Sequence, residues 1–364
     1  MARFSEHWLL QLFAIPLMGT PAPGDCFKAL AEASWQFYID LAEGAFYLGY
    51  LDQAAWVLQK AVQEAESLPS EDPRLAATLN RLGVLYHYLG RYLGAEPLFR
   101  RAIALMESAS GADNPELGTV LYNLGGLYKS QGKFPEAETA YKDALVAWER
   151  TLGPDHPDLA LAYQNLGEMC MHQGRTPEAL FALRRALALL DSRNSEDWIT
   201  LVVVNKLAAY YTVQERHTEA EPHLWRALEL RRRLQGPDHP KVAMALDKLA
   251  QLYRKQRKFA RAEPLFRLSL FIQEASLGRR HPDFIQTLND LAELYYAEGM
   301  FTEAEPLFKF SLAAFEQALG SEHPHIADRL EHYASILRTL RRNQDAEMFE
   351  ARARAIRAKR SITL

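Results

Sequence analysis

The chain has 364 residues, of which 48% are apolar, and this is enough to bury a sizeable core. Its 42 basic residues nearly balance its 46 acidic residues, and the net charge of −4 excludes a global attraction to nucleic acid or to an anionic membrane surface. Two cysteines, Cys26 and Cys170, are too few for a disulfide framework or a thiolate metal site. We therefore expect a reducing, cytoplasmic location.

An N-terminal segment, residues 1–34, precedes any clear repeat. Within it, an apolar run over residues 8–18 follows Arg3 and has the character of a secretory signal peptide, although Gln11 and Pro16 interrupt the run. We interpret the segment as an N-terminal cap or docking segment, and secretion is the alternative. No window holds the run of about 18 apolar residues that a membrane-spanning helix needs, so we expect a soluble chain.

A short apolar block recurs along the chain at intervals of about 42 residues. Its anchor residues are, in order, Leu82, Leu124, Leu166, Leu207, Leu249, Leu291 and Tyr333. Around the first anchor, Leu79, Gly83 and Tyr86 complete an i, i+3, i+4, i+7 stripe. Residues 98–103 form a second apolar stripe. Each repeat is therefore predicted to contain two antiparallel helices, a first helix that carries the anchor and a second helix.

Small residues recur at one position of each predicted helix. In the first helices they directly follow the anchor, as Gly83, Gly125, Gly167, Ala208, Ala250, Ala292 and Ala334. In the second helices they are Ala95, Ala137, Ala179, Ala220, Ala262, Ala304 and Ala346. Because a missing or minimal side chain lets two helix axes approach, these positions predict close packing of neighbouring helices.

The turn inside each repeat also follows a pattern. Several first helices should end at a glycine, at positions 90, 132, 174 and 299. Thr218 with Glu221, and Thr302 with Glu305, are predicted to form capping boxes that open second helices. Prolines would then fall in the first turn of second helices, at positions 97, 222, 264 and 306.

Connectors between repeats have the form Gly-x-x-His-Pro, as in residues 236–240, where Gly ends one helix and Pro helps to start the next. Their histidines are His156, His239, His281 and His323. Equivalent residues of neighbouring repeats should lie about 8–10 Å apart, whereas two nitrogens on one zinc ion lie within about 4 Å of each other. We predict that these histidines shape the loop by hydrogen bonds and bind no metal.

The period, the Leu-Gly-x-x-Tyr and Ala-x-x-x-Phe motifs and the Leu-Gly-Pro-Asp-His-Pro connector are closely similar to the tetratricopeptide repeats of kinesin light chains and related bacterial proteins. The resemblance covers residues 76–350 strongly and 35–75 weakly. It implies an all-α, right-handed superhelical solenoid of about eight helix pairs over residues 35–350, the first degenerate, and a basic C-terminal cap over 351–364. It departs at residues 191–197, where we expect a local change of curvature.

Motifs for catalysis are missing from the sequence. There is no nucleophile elbow, no phosphate-binding Gly-x-x-x-x-Gly-Lys and no His-Glu-x-x-His. Cys170 stands where other repeats carry a tyrosine, so we interpret it as a small core residue. We predict no enzyme activity, no cofactor and no metal.

Polar positions on the first helices form the candidate binding surface, because asparagines recur beside the anchors in what we take as one register. The predicted peptide-binding residues are Asn80, Arg81, Asn123, Lys129, Asn165, Asn205, Lys206, Lys248, Arg254 and Asn289. Side-chain amides can bond both the N–H and the C=O of an extended backbone. The resemblance implies the same role, since kinesin light chains use such asparagines. The alternative is that these residues only solvate the helix face.

Charge on this surface should vary along the chain. The central repeats carry a positive excess, from Lys129, Lys206, Lys248, Arg254 and Lys255 against Glu168 and Asp247. The sign reverses towards the C-terminus, with Asp290, Glu293, Asp328 and Glu331 against Arg338. We therefore expect an acidic stretch of a bound peptide over repeats four to six, and a basic end towards repeat eight.

The leading hypothesis is a non-catalytic scaffold that binds a protein or an extended peptide in the concave groove of the solenoid. A self-associating structural protein and a regulatory subunit of an enzyme complex are the alternatives. Neither nucleic acid nor a membrane is an expected partner, and the oligomeric state is open.

Overall fold

The computed structural model describes residues 26–69, 72–110 and 114–362. Every regular element in these ranges is an α-helix, which confirms the all-α fold class. The sixteen helices of this part of the chain are α1 (Cys26–Tyr47), α2 (Leu51–Ala65), α3 (Pro73–Tyr88), α4 (Tyr92–Ser110), α5 (Pro115–Ser130), α6 (Phe134–Leu152), α7 (Leu159–His172), α8 (Thr176–Asp191), α9 (Trp198–Val213), α10 (His217–Gln235), α11 (Pro240–Lys255), α12 (Phe259–Leu277), α13 (Pro282–Glu298), α14 (Phe301–Leu319), α15 (Pro324–Thr339) and α16 (Asn343–Ile362). The apolar run at 8–18 lies outside the described residues. At the C-terminal end, α16 runs without a break across position 350, where the predicted array ends and the predicted cap begins.

The helices are paired as the repeat predicts. Each odd-numbered helix packs against the even-numbered helix that follows it, which gives eight pairs of a first and a second helix. The pairs form two compact units, residues 1–195 with α1–α8 and residues 196–364 with α9–α16. Within each unit, the second helix of one pair packs on the first helix of the next. Each unit is thus a stack of four helix pairs, and the boundary falls in the segment 191–197 that departs from the connector pattern.

Small residues lie where two helices approach, as the sequence predicts. The seven alanines of the second helices, from Ala95 to Ala346, are all fully buried. A Cβ atom added at Gly83 would lie 2.8 Å from the ring of Phe99, and one at Gly125 would lie 2.8 Å from Tyr141. A Cβ atom at these positions would therefore require the facing aromatic ring to shift, whereas the repeats with alanine at the matching position accommodate one.

The turn inside each pair contains one residue with positive φ. It is a glycine in five pairs, at positions 49, 90, 132, 174 and 299, which confirms the predicted helix stops. In the other three pairs it is Glu215, Arg257 or Arg341, with φ of 55°, 57° and 60°. A side chain with a Cβ atom is strained in this left-handed conformation. The turn geometry is therefore kept even where the sequence does not favour it.

The predicted capping boxes are wrong. Helices α10 and α14 begin at His217 and Phe301, so Thr218 and Thr302 are already their second residues. The residues before these helices, Arg216 and Met300, make no side-chain cap hydrogen bond. In both pairs the second helix begins two residues after the left-handed turn residue, Glu215 or Gly299, and therefore one residue before the threonine.

The positions predicted for the prolines of the second helices are wrong for the same reason. Instead of falling in the first turn, they lie inside the helix, at Pro97, Pro222, Pro264 and Pro306. Each therefore removes one backbone hydrogen bond of its helix.

Connector histidines cap the first helices. The Nδ1 atoms of His239, His281 and His323 accept hydrogen bonds from the backbone N–H two residues ahead, at 3.1, 3.2 and 3.3 Å. A proline follows each of these histidines as the first helical residue. Asp72 and Asn114 cap α3 and α5 in the same way. This confirms that the connector histidines shape the loop.

Relief of the strained turn should stabilise the protein. Arg257→Gly replaces an exposed residue at φ 57° and should raise the free energy of unfolding by roughly 0.5–1 kcal/mol, because the strain removed exceeds the entropy that glycine adds to the unfolded chain. The matched control is Gln256→Gly, one residue earlier at φ −77°, which should lower stability by a similar amount. Urea unfolding followed by circular dichroism measures both, and equal destabilisation by the two variants would contradict the strain.

Candidate functional site

The candidate site is the first-helix face, which we define as the two positions directly before each anchor together with the fifth and sixth positions after it, where Lys129, Arg254 and Lys255 lie. Asparagines occupy both of the positions before the anchor, so the assumption of one register is wrong. Asn80, Asn205 and Asn289 lie two residues before their anchors, whereas Asn123 and Asn165 lie one residue before. A side chain two residues before one anchor can therefore meet a side chain one residue before the next.

In the first unit these amides bridge successive first helices. Asn123 donates a hydrogen bond from Nδ2 to Oδ1 of Asn80, at 2.9 Å. Asn165 donates from Nδ2 to the hydroxyl of Tyr122, at 3.0 Å, and burial raises the pKa of that hydroxyl to about 12. The three asparagines are only 4–8% exposed. The amides predicted to face a peptide thus form a polar contact line inside the unit.

Two predicted cations of the first unit are paired. The Arg81 guanidinium lies 3.1 Å from the Glu43 carboxylate, and burial lowers the pKa of Arg81. Lys129 donates to the Glu168 carboxylate at 2.6 Å and to Oδ1 of Asn165 at 3.0 Å. Since both charges are balanced within the unit, neither adds a net positive field to this face.

Basic residues of the second unit differ in exposure. Lys248 is exposed, as is Lys255, and Lys206 is half-buried beside Asn205. Arg254 lies 2.6 Å from the Glu293 carboxylate. Of the basic residues predicted for the central repeats, those exposed to solvent in the second unit are therefore lysines.

Asn205 and Asn289 make different contacts. Asn205 donates to the backbone carbonyl of Leu201, within its own helix, at 2.7 Å. Asn289 is buried and donates to Glu293 at 3.0 Å, so it joins the ion pair of Arg254. Of the ten predicted residues, the structure thus brings together Asn80 with Asn123, Lys129 with Asn165, and Arg254 with Asn289.

A buried polar cluster in the second unit was not predicted. Oδ2 of Asp247 accepts hydrogen bonds from Thr287 at 2.8 Å and from Gln273 at 3.0 Å. Oδ1 of Asp247 and Oε1 of the fully buried Gln273 have no hydrogen-bond partner among the described residues. Burial raises the pKa of Asp247 to about 6, against the opposing effect of its hydrogen bonds. Sequence reasoning missed the cluster because Gln273 lies on a second helix, outside the face that was searched.

Cys170 is buried, which confirms it as a core residue, and burial raises the pKa of its thiol. Arg175 donates to its Sγ at 3.1 Å and also binds Glu138, whose pKa it lowers to about 2. In the described ranges, no three His, Cys, Asp or Glu side chains are grouped so that they could hold a metal ion. None of the described helices is both long and apolar enough to span a bilayer.

The sequence matches the family model of the tetratricopeptide repeat over residues 36–108, 74–145, 116–192, 200–275 and 283–359. This confirms the family predicted from the repeat motifs. A comparison with curated proteins gives no significant match.

Several solved structures are similar to this chain. BtubC (BKLC) from P. vanneervenii matches at 24% identity and a TM-score of 0.51, over 64% of this chain and 92% of its own. The C-terminal part of a TPR repeat-containing protein from Cytophaga hutchinsonii matches at 16% identity and a TM-score of 0.56, over 76% of this chain and 94% of its own. The TPR-like repeats of a "putative kinesin light chain" from Podosopora anserina match at 25% identity and a TM-score of 0.49, over 57% of this chain and 98% of their own. The first two matches support the fold.

The Asp247 carboxyl should make stability depend on pH. Its pKa of about 6 in the folded protein lies above the ordinary value of 3.8, so stability falls as pH rises from about 4 to about 6 and stays lower above that range. The shift corresponds to at most roughly 3 kcal/mol. Asp247→Asn removes the charge that burial disfavours. It should raise the free energy of unfolding by about 1–3 kcal/mol at pH 7, and by less at pH 4.

Urea unfolding of the wild type and the variant at both pH values tests this dependence. The control is Asp238→Asn, a change in an exposed connector that should alter stability little at either pH. An Asp247→Asn variant that is less stable than the wild type at pH 7 would show that the carboxylate is stabilising in its ionised form.

Proposed function

The chain belongs to the tetratricopeptide repeat family, and we propose from this premise that it is a non-catalytic interaction scaffold. Its partner is a protein that presents an extended peptide segment to the first-helix face. The proposed partner is a protein or peptide, not nucleic acid or a membrane. The proposed location of the protein is the cytoplasm.

Spacing of the polar side chains supports an extended ligand. Successive first helices of a unit lie roughly 10 Å apart, and about three residues of an extended peptide cover that distance. In the polyproline II conformation, which repeats every three residues, every third residue of the peptide would face successive repeats in the same way. The exposed side chains of Lys255 and Lys248, with Lys206 one repeat earlier, favour an acidic stretch, and burial of the Lys248 ammonium, which lowers its pKa, adds to its gain from an anion. Exposed lysines on the second unit's first-helix face are the observation that carries this preference.

The chemistry of the acidic residues supports a non-catalytic role. Glu168 and Glu293 are engaged in ion pairs with Lys129 and Arg254. Asp247 is held by Thr287 and Gln273 beneath the face. A general acid or base must reach a substrate atom, and these three carboxyl groups are committed to other contacts.

Reversal of the exposed charges tests the scaffold. The variant Lys206→Glu, Lys248→Glu, Lys255→Glu should bind acidic peptides about tenfold more weakly at low ionic strength, because each exposed contact contributes roughly 0.2–1 kcal/mol. The effect should shrink at high salt. The probes are immobilised acidic peptides of about ten residues and the same peptides with Gln in place of Glu.

The matched control, Arg232→Glu, Arg280→Glu, Lys309→Glu, changes the same charge in the same unit at exposed positions off the first helices. It should bind like the wild type. Equal loss in both variants would indicate a non-specific effect of net charge, and undiminished binding by the first variant would remove the face as the binding site.

Self-association is a second candidate, favoured by the first helix pair. Phe37 and Leu41 lie one turn apart on α1 and are 61% and 46% exposed, and Leu48 follows at 72%. Exposed apolar side chains grouped in this way are typical of interaction surfaces. A wild-type oligomer that the double variant Phe37→Glu, Leu41→Glu converts to a monomer, by light scattering at two concentrations, would support it. A monomeric wild type would exclude it.

A further inference from the structure

The first helix of the first unit exposes apolar positions that are buried in the later pairs of that unit. In α1, Leu41 stands in the place of the anchor, because the small residue Ala42 follows it and is buried. Leu41 is 46% exposed, whereas the anchors of α3, α5 and α7 are at most 7% exposed. Four residues earlier, Phe37 is 61% exposed, whereas the matching residues of α3, α5 and α7 are completely buried. One side of α1 is therefore uncovered.

The position of Phe37 faces a second helix wherever such a helix comes before it in the same unit. At this position of α13, Thr287 accepts a hydrogen bond from Gln273 of α12 at 3.0 Å. At this position of α15, Cζ of Arg329 lies 3.4 Å from the ring centre of Phe315 of α14. No helix comes before α1 in the part of the chain that the structure describes. The uncovered side of α1 therefore marks the place of a missing second helix.

Exposed residues on this side form one stripe, which we call the α1 stripe. It consists of Phe37, Leu41, Gly44 and Leu48, at steps of four, three and four residues over α1 and the residue after it. All four residues are exposed. Two helices that pack along each other use this spacing. Apolar residues grouped in this way are typical of an interface, so the stripe suits an apolar segment of similar length.

The apolar run over residues 8–18 is a segment of this kind in the same chain. Nine of its eleven residues are apolar, and none is charged. Seven residues, 19–25, separate the run from the start of α1. Fully extended, they span about 23 Å, and Leu41 lies about 22 Å from the start of α1 at the usual rise of a helix. The run can therefore reach the α1 stripe within one chain.

The short linker favours this occupant over a second copy of the chain. It gives the run an effective concentration of the order of millimolar at the stripe. A second copy reaches the stripe only at the concentration of the protein, so for equal contacts at micromolar protein the run is favoured by about a thousandfold. Contact within one chain also covers the run itself, so that two apolar surfaces leave water together.

We propose that residues 8–18 pack on the α1 stripe of the same chain, in the place of the missing second helix. The inference goes beyond the scaffold function and assigns the run to a structural contact instead of a secretory signal. It also gives the stripe an occupant other than a second copy. The docked run closes this end of the first unit and keeps the chain monomeric.

Cross-linking of the full chain tests the contact. The variant Gln11→Cys, Gly44→Cys, made with Cys26→Ser, places one thiol on the run and one on the stripe and keeps every apolar side chain of both. A Cβ atom at Gly44 meets nothing within 4 Å, so the stripe tolerates the change. Cys170 is buried and should not react. A short bis-maleimide should join the two introduced thiols in most chains, as measured by mass spectrometry of proteolytic fragments.

A mixture of isotope-labelled and unlabelled chains distinguishes the two occupants. If the run docks in its own chain, each cross-link joins two fragments of the same label. Cross-links that join fragments of different label would show that the run docks on a second copy, and this would overturn the proposal. Intact mass of the purified wild type shows whether the run is retained, and its removal by cleavage would identify a secretory signal and overturn the proposal as well.

The matched control is Gln11→Cys, Val146→Cys in the same background, because Val146 is a similarly exposed apolar residue of the first unit, at 64%, but lies on α6. It should give little cross-link. Phe37→Glu added to the test variant should lower the yield about tenfold, since the docked run would bury a carboxylate without a partner. Circular dichroism checks that each variant is folded.

Equal yields in the test and control variants, or a yield that Phe37→Glu leaves unchanged, would contradict docking on the α1 stripe. Binding of acidic peptides through the lysines of the second unit does not depend on any of these results. The scaffold function and the docked run can therefore fail separately.

Discussion

The close approach of the two helices in each pair is the constraint on which the rest of each unit depends. A Cβ atom at Gly167 would lie 2.7 Å from the side chain of Leu183, and the alanine at the matching place on every second helix is fully buried. At this distance the side chains around the anchor interlock, and their burial supplies most of the stabilising free energy. The polar residues before the anchor are then carried to a fixed place beside the next first helix. The face is regular because the packing beneath it is regular.

Regular packing also explains a second series of contacts, between tyrosines and the preceding second helix. The hydroxyls of Tyr128, Tyr253 and Tyr295 donate to a glutamate of the preceding pair, at 2.9, 2.6 and 2.8 Å. Where Cys170 replaces the tyrosine, Arg175 binds Glu138 directly. The glutamate therefore keeps a donor even where the aromatic residue is lost, which avoids a buried acceptor without a partner.

Much of this fold follows from the sequence because periodic burial leaves a periodic pattern. The anchors, the alanine positions and the connector histidines could be predicted for that reason. The starts of α10 and α14 could not, because each helix begins two residues after the left-handed turn residue, Glu215 or Gly299, and the residue between makes no side-chain cap that would mark the start in the sequence. The net charge of the first-helix face could not be predicted from the sequence either. Its outcome depends on pairs such as Arg357 with Asp328, which join different helices and which no spacing rule predicts.

Many polar side chains of the first-helix face already bond to one another, and this determines how a ligand could gain affinity. A peptide amide that bonds Asn123 or Asn165 must replace a contact that already exists, so each exchange contributes little, typically about 1 kcal/mol or less. Affinity would then accumulate over several repeats and depend little on the sequence of the peptide. Discrimination between peptides would come from the few groups whose charge is not balanced inside the unit. Lys248 and Lys255, for which no ion pair is found among the described residues, are such groups, and both lie in the second unit. The first unit, whose amides and cations are paired, is then suited to hold a peptide backbone, and the second unit to select its charge.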